Sequence, residues 1–288
     1  MSVINTNVNS LVAQNSVTTN ARALSKAMEQ LSTGKRINGS KDDAAGLSIS
    51  QIMTAQIRGL NQAVRNANDG ISLLQTADGA MIEQSNMLQR MRELAVQAAS
   101  DTVTPEQKSY LNQEYVALRD EIDRIGASTQ WNGEDLLNED GGAAADGEYN
   151  FQVGANSTQT ISVTLAGANT LTGGIYVSLT GSQIYDSSAG NGTETTFAND
   201  AIDDIDAALV LANEQRAAIG AGINRLTYAA DNLANVSMNT AASRSRIEDT
   251  DYATVSTELA RTQIIQQAAT AMLAQANQSP QSVLALLK

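Results

Sequence analysis

Both ends of this 288-residue chain carry the same thin apolar pattern, and nothing else in the sequence constrains the fold as much. From the N-terminus, Ile4, Val8, Leu11, Val17, Ala21, Leu24, Met28 and Leu31 recur at steps of three and four, with a turn skipped after Leu11. Towards the other end, Tyr252, Val255, Leu259, Ile265, Ala269, Met272 and Ala276 repeat the pattern, with a turn skipped after Leu259. Heptad-like spacing puts such residues on one seam of a helix. The remainder of each strip is Asn, Gln, Ser, Thr and Ala, so neither end makes a core alone. Each needs a partner, and the opposite end of the same chain is the nearest candidate. Two ordinary amphipathic helices on a globular body would show the same periodicity, but that body would have to accept them at both extremes of the chain.

Proline occurs only at Pro105 and Pro280, so helices between them run without interruption. Ile57, Leu60, Val64, Ala67, Ile71, Leu74, Met81, Leu88, Met91 and Ala95 keep one apolar face, which predicts a rod of roughly 60 Å at about 1.5 Å per residue. Thr104, Pro105 and Gln107 form a helix start with a capping box, followed by a seam of Leu111, Tyr115, Leu118, Ile122 and Ile125. The short link before it implies an antiparallel pair. Residues 130–198 are rich in Gly, Thr, Ser and Asn. Strands are expected at Glu148–Val153, Thr160–Leu165 and Ile175–Leu179, and a solvated loop at Ser187–Thr196. Helical period returns at an Asn199–Asp200 cap and continues through Ile202, Ile205, Leu209, Ala212, Ile219, Ile223, Leu226, Ala230 and Leu233. The expected fold is mainly α: an elongated antiparallel helical bundle with a terminal coiled coil and a small β-hairpin region. Its expected parts are residues 1–42 and 251–288 for the coiled coil, 43–172 and 199–250 for a rod, and 173–198 for a short variable segment.

Composition excludes several chemistries. There is no Cys and no His, which removes disulfides, thiolate sites, His-based metal sites and Ser-His-Asp or Cys-His nucleophiles. The net charge of −13 is concentrated in residues 101–200, where three Lys or Arg face fifteen Asp or Glu. No basic patch interleaves with aromatics, so no nucleic-acid partner is expected. No apolar run is long enough to span a membrane, and the start lacks a basic segment followed by an apolar one, so no cleavable secretory signal is expected. Gly34, Gly39 and Gly46 fit neither phosphate-binding glycine pattern and are better suited to a hinge. The carboxylate pairs Asp42–Asp43, Asp203–Asp204 and Asp249–Asp251 lack a calcium-loop pattern. No catalytic residue, cofactor or metal is expected.

Several long motifs in order resemble bacterial flagellin. They are Asn5 to Leu11, the segment Leu31 to Leu47, Leu88 to Gln97, Gln152 to Asn156, Ile247 to Tyr252, and the tail from Gln263 through Leu273–Asn277 to Val283–Lys288. The resemblance covers about residues 1–160 and 200–288; the middle is short and matches weakly. It implies a structural subunit that polymerises into the helical flagellar filament and transmits motor torque for swimming. It also implies secretion by the flagellar type III apparatus to an extracellular filament. Implied partners are further copies of the chain, the hook-associated junction and cap proteins, an export chaperone and, in a host, Toll-like receptor 5.

Site residues follow from the same resemblance. Gln89, Arg90, Glu93, Leu94, Gln97 and Glu114 match a contact between subunits that is also read by that receptor. As side chains alone they equally suit a solvated face with ion pairs worth a few tenths of a kcal/mol. Ile4, Val8, Leu11, Leu24, Met28, Leu31, Val255, Leu259, Ile265 and Met272 form the coiled-coil core. Gly34, Gly39 and Gly46 form the hinge loop, in which Lys35, Arg36, Lys41, Asp42 and Asp43 are expected to touch other subunits. Val283, Leu284, Leu286 and Leu287 match the end used by the chaperone and by cytosolic innate receptors, or plug the coiled-coil core. Weak polar seams do not offset ordering entropy, so the ends are expected to order on assembly. Alternatives are a hook–filament junction protein, an adhesin or host-receptor ligand, and an enzyme on the same scaffold, the last disfavoured by the short middle and absent His.

Overall fold

The computed structural model describes residues 7–137, 147–165, 179, 182–186 and 194–286, with side chains of 194–195 and 279–286 excepted. Among these the chain is mainly α. The helices are α1 (Val8–Thr33), α2 (Ala44–Ala98), α3 (Pro105–Ser128), α4 (Glu194–Glu248) and α5 (Tyr252–Leu286). Two antiparallel strand pairs join them: β1 (Gln130–Trp131) with β2 (Glu134–Asp135), and β3 (Glu148–Gln152) with β4 (Thr160–Thr164). The chain divides into two compact units, residues 1–57 with 238–288, and residues 58–237.

In the first unit α1 and α5 run antiparallel. Asn7 Nδ2 donates to Ala276 O at 2.7 Å and Asn20 Nδ2 to Thr262 O at 2.8 Å. Beyond them the loop after α1 meets the end of α4, with Arg36 N donating to Glu248 O and Thr250 N to Gly34 O. Gly34 ends α1 in the left-handed conformation at φ 70°, its N–H donating to Gln30 O. A side chain there would be strained and would also sit 3.0 Å from the Tyr252 hydroxyl.

In the second unit α2, α3 and α4 enclose a core that includes Leu74, Met81, Leu88, Met91, Leu94, Tyr115, Ile122, Ile205, Ile219 and Leu226. The capping box at Thr104 is formed: its hydroxyl accepts from Gln107 N and Gln107 Oε1 accepts from Thr104 N. The β3–β4 pair has Tyr149 opposite Val163 and Phe151 opposite Ile161. It is seated where the helices carry no side chain. A Cβ at Gly70 would lie 2.7 Å from Phe151 Cδ1, and one at Gly222 would lie 2.8 Å from Val163 Cγ2.

Three local features differ from the sequence expectation. The β1–β2 pair is additional; Asn132 and Gly133 link it with φ of 53° and 86°, the conformation of a type I′ turn. Helix α4 begins at Glu194, ahead of the expected cap at Asn199–Asp200, so the end of the expected loop is helical. Gly46 lies within α2 and is buried against Ile37 and Asp43, so only Gly34 and Gly39 are in the loop. The expected strand at 175–179 lies outside the described residues except for Leu179, which is buried.

Candidate assembly surfaces

The α1–α5 seam is continuous, and it mixes large apolar residues with small and polar ones. Its α1 residues are Ser10, Ala13, Val17, Asn20, Leu24, Ala27 and Leu31, at unbroken steps of three and four. Its α5 residues are Val255, Leu259, Thr262, Gln266, Ala269, Leu273 and Ala276, with the same regularity. The turns that look skipped in a hydrophobic pattern are filled by Ala13, Thr262 and Gln266. Asn20 is 8% exposed and sits at the middle of the seam, donating also to Gln266 Oε1 at 3.0 Å. Small residues let the backbones approach, and the amide is satisfied, so its burial is tolerated.

Several large apolar side chains nevertheless face outward. Of the expected coiled-coil core, Leu24, Leu31, Val255 and Leu259 lie on the seam, whereas Val8, Leu11, Met28, Ile265 and Met272 are exposed, Leu11 by 57% and Met272 by 65%. Ala21 and Tyr252 are exposed as well. The physical reason is the phase of the heptad: Val8, Leu11, Met28, Ile265 and Met272 each fall one to two positions from a seam residue, and Asn7, Ser10 and Asn20 make polar contacts along the seam. Val12, Ala13, Ile265, Ala268, Ala269 and Met272 line one open groove along the pair. An apolar surface of this kind on a folded unit marks an interaction site. Ile4 and Leu287, and the side chains of Val283, Leu284 and Leu286, lie outside the described residues.

The loop residues expected to reach other subunits are largely engaged within their own. Lys35 pairs with Glu248, and an Arg36 guanidinium nitrogen donates to Ile247 O at 2.6 Å. Asp43 accepts from Gly46 N at 2.8 Å at the start of α2. Asp42 pairs with Lys26 at 3.0 Å and accepts from the N–H groups of Asn38 and Gly39. The Lys26 ammonium, with these donors, holds the Asp42 carboxyl below its usual range. Lys41 is exposed.

In the second unit Gln89, Arg90, Glu93 and Gln97 share one exposed face of α2, and Glu114 stands beside them on α3. Arg90 bridges Glu93 and Glu114 at 3.0 and 2.9 Å, and both carboxylates raise its pKa, Glu93 first. Arg92 grips Asp206 of α4 through two nitrogens, at 2.7 and 3.2 Å. The Arg92 guanidinium lowers the Asp206 pKa in turn. Exposed Val96 adjoins this polar face in a shallow depression with Gln89, Arg92, Glu93 and Gln97. Leu94 does not belong to it: it is 1% exposed and points into the core. Periodicity alone identifies it, since Leu88, Met91, Leu94 and Ala95 form one buried stripe.

Among the described residues no cluster of acidic side chains is grouped to hold a metal ion, and no helix is long and apolar enough to cross a membrane.

Both helical ends of the chain match known proteins. Residues 4–141 match the model of the bacterial flagellin N-terminal helical region, and residues 202–287 match that of the bacterial flagellin C-terminal helical region. The chain is 45% identical over 286 residues to a flagellin of Halalkalibacterium halodurans, covering 99% of this chain and 100% of that one. It is 35% identical to flagellin A of Vibrio cholerae, covering 99% of both chains. A flagellar hook-associated protein structure from Vibrio parahaemolyticus superposes with a TM-score of 0.60 at 13% identity, covering 72% of this chain and 99% of that one. That last likeness concerns the fold alone.

Proposed function

This chain belongs to the bacterial flagellin family, and we propose that it assembles through the outward apolar faces of α1 and α5. It is a structural subunit of the flagellar filament and not an enzyme. The observation that carries the assembly reading is the set of large apolar side chains that the terminal helices leave outside their own seam. Val17, Leu24, Leu31, Val255, Leu259 and Leu273 share the seam within the subunit with small and polar residues, while Val8, Leu11, Val12, Met28, Ile264 and Met272 remain exposed. Burying such side chains fully is worth roughly 1.5–3 kcal/mol each. Neighbouring copies are the occupants that a filament supplies. The contact is heterologous, so addition of subunits continues without closing a ring. In such a polymer the stiff helices carry torque along the filament for swimming.

The second surface is the exposed face of Gln89, Arg90, Glu93, Gln97 and Glu114. We propose that it contacts a neighbouring subunit and, in a host, Toll-like receptor 5. Its ion pairs already align the guanidinium and carboxylates, which lowers the ordering cost of a polar contact. We further propose an export chaperone and the junction and cap proteins as partners and the type III apparatus as the secretion route, a reading supported by family membership. The hook–filament junction reading is the weaker one, because the full-length identity is to flagellins.

Seeded elongation tests the assembly reading. Leu11→Ser and Met272→Ser should leave the second unit folded and sharply slow addition to wild-type seeds. Normal filament growth from both variants would overturn it. For the second surface, Arg90→Ala should reduce receptor signalling by soluble subunits; unchanged signalling would remove that assignment.

A further inference from the structure

Polar contacts recur along the α1–α5 seam, and two of them are specific to one register. The first involves Pro280. Helix α5 continues through this position, yet proline has no N–H to give to the carbonyl four residues earlier. That carbonyl belongs to Ala276, and it accepts from Asn7 Nδ2 at 2.7 Å. The other end of the same amide caps α1, Asn7 Oδ1 accepting from Ser10 N at 3.1 Å. The second is the buried Asn20, bonded to both Thr262 O and Gln266 Oε1.

We infer that Asn7 and Asn20 set the register of α1 on α5, and that this register composes the outward assembly face from the two helices. The inference rests on the reading that this face meets neighbouring copies. Small and apolar residues around these contacts tolerate sliding. A slip of one heptad moves one helix about 10 Å along the other. It would set Asn20 against Val255 and Leu259, or against Ala269 and Leu273; a backbone carbonyl still replaces that of Thr262, but no side chain there replaces the Gln266 acceptor. Each hydrogen bond lost in this way costs about 0.5–1.5 kcal/mol. The same slip takes Asn7 away from the carbonyl that Pro280 leaves open. A single polar residue in a coiled-coil seam specifies register by this means at some cost in stability. Here register has a further consequence: Val12 on α1 and Ile265 and Met272 on α5 line one groove only when the helices are in phase.

The test separates register from stability. Asn20→Leu fills the seam with an apolar side chain, and Pro280→Ala restores the missing helix donor. In both variants, amide exchange protection of α1 and α5 in the filament-competent subunit should equal or exceed wild type. Seeded elongation should nevertheless fall about ten-fold or more, as expected for losing a register preference of this size. The exchanged pair Asn20→Gln with Gln266→Asn should recover elongation. Elongation of Asn20→Leu and Pro280→Ala at the wild-type rate would overturn the inference. So would reduced protection, which would make the amides simple stabilisers, or no recovery in the exchanged pair. Leu11→Ser with Met272→Ser keeps the register and removes the face. If that variant elongates normally the assembly reading fails; if only the register variants do, the register inference fails alone.

Discussion

Replacing Gly70 by alanine is expected to destabilise the chain, whereas replacing Gly79 in the same helix is expected to stabilise it. Inside a helix, alanine is favoured over glycine by roughly 0.8–1 kcal/mol. At Gly79 nothing lies within 4 Å of the added Cβ, so that gain is realised in full. At Gly70 the Cβ would sit 2.7 and 2.9 Å from Cδ1 and Cε1 of Phe151, well inside the roughly 3.5–4.0 Å of a relaxed carbon contact. The ring belongs to β3, paired with Ile161 across the hairpin, and does not swing away freely. Overpacking of this kind costs about 1–3 kcal/mol, which leaves Gly70→Ala unfavourable by roughly 0–2 kcal/mol after the helix gain. The two variants then differ by about 2 kcal/mol, or roughly 4–8 °C in melting temperature for the unit of residues 58–237 that holds both glycines. Circular dichroism melts of the two purified variants measure this directly. In a Phe151→Leu background Gly70→Ala should lose its penalty. A Gly70→Ala variant that melts at or above Gly79→Ala would refute the seating of the hairpin on bare helix backbone.

Leu94→Ala should cost about 2–5 kcal/mol of stability, since Leu94 is buried in the core; Arg90→Ala, on the exposed face beside it, should leave the melt unchanged. Asp42 has a lowered pKa, from Lys26 first and then the loop N–H groups. Its contribution is therefore complete above the ordinary aspartate range and is lost as pH falls through the lowered value. Amide protection of the 34–43 loop should follow that titration, and Asp42→Asn should abolish the dependence. Thr104→Ala should remove the capping box of α3 and cost about 1 kcal/mol in a denaturant titration.

The helices and the larger hairpin were legible because their signals are local. The long stripe from Leu60 to Ala95 has helical period, Thr104 to Gln107 is a complete cap, and the β3 and β4 segments are bounded by Gly154 to Ser157. Asn132-Gly133 is a type I′ hairpin signal and marks the β1–β2 turn in the sequence. The terminal seam was less legible for a physical reason. Counting apolar residues finds Val8, Leu11 and Met28, but close helix approach favours Ala13 and Ala27, and the centre is held by Asn20 and Gln266. A stripe of hydrophobicity marks whatever surface is eventually buried, and it does not say whether the partner is the same chain. Leu94 shows the converse, since a residue inside a recognisable motif was read with its neighbours although its own helical phase puts it in the core.

Methionine oxidation compares the two states of the outward face within one sample. Met28 and Met272 are 51% and 65% exposed in the subunit, while Met81 and Met91 are buried in the second unit. Peroxide converts accessible thioethers to sulfoxides. Mass spectrometry after a brief peroxide pulse should find Met28 and Met272 oxidised in the monomer and protected in the filament, with Met81 and Met91 protected in both. Equal oxidation of Met28 and Met272 in monomer and filament would contradict the claim that neighbouring copies cover the terminal apolar faces.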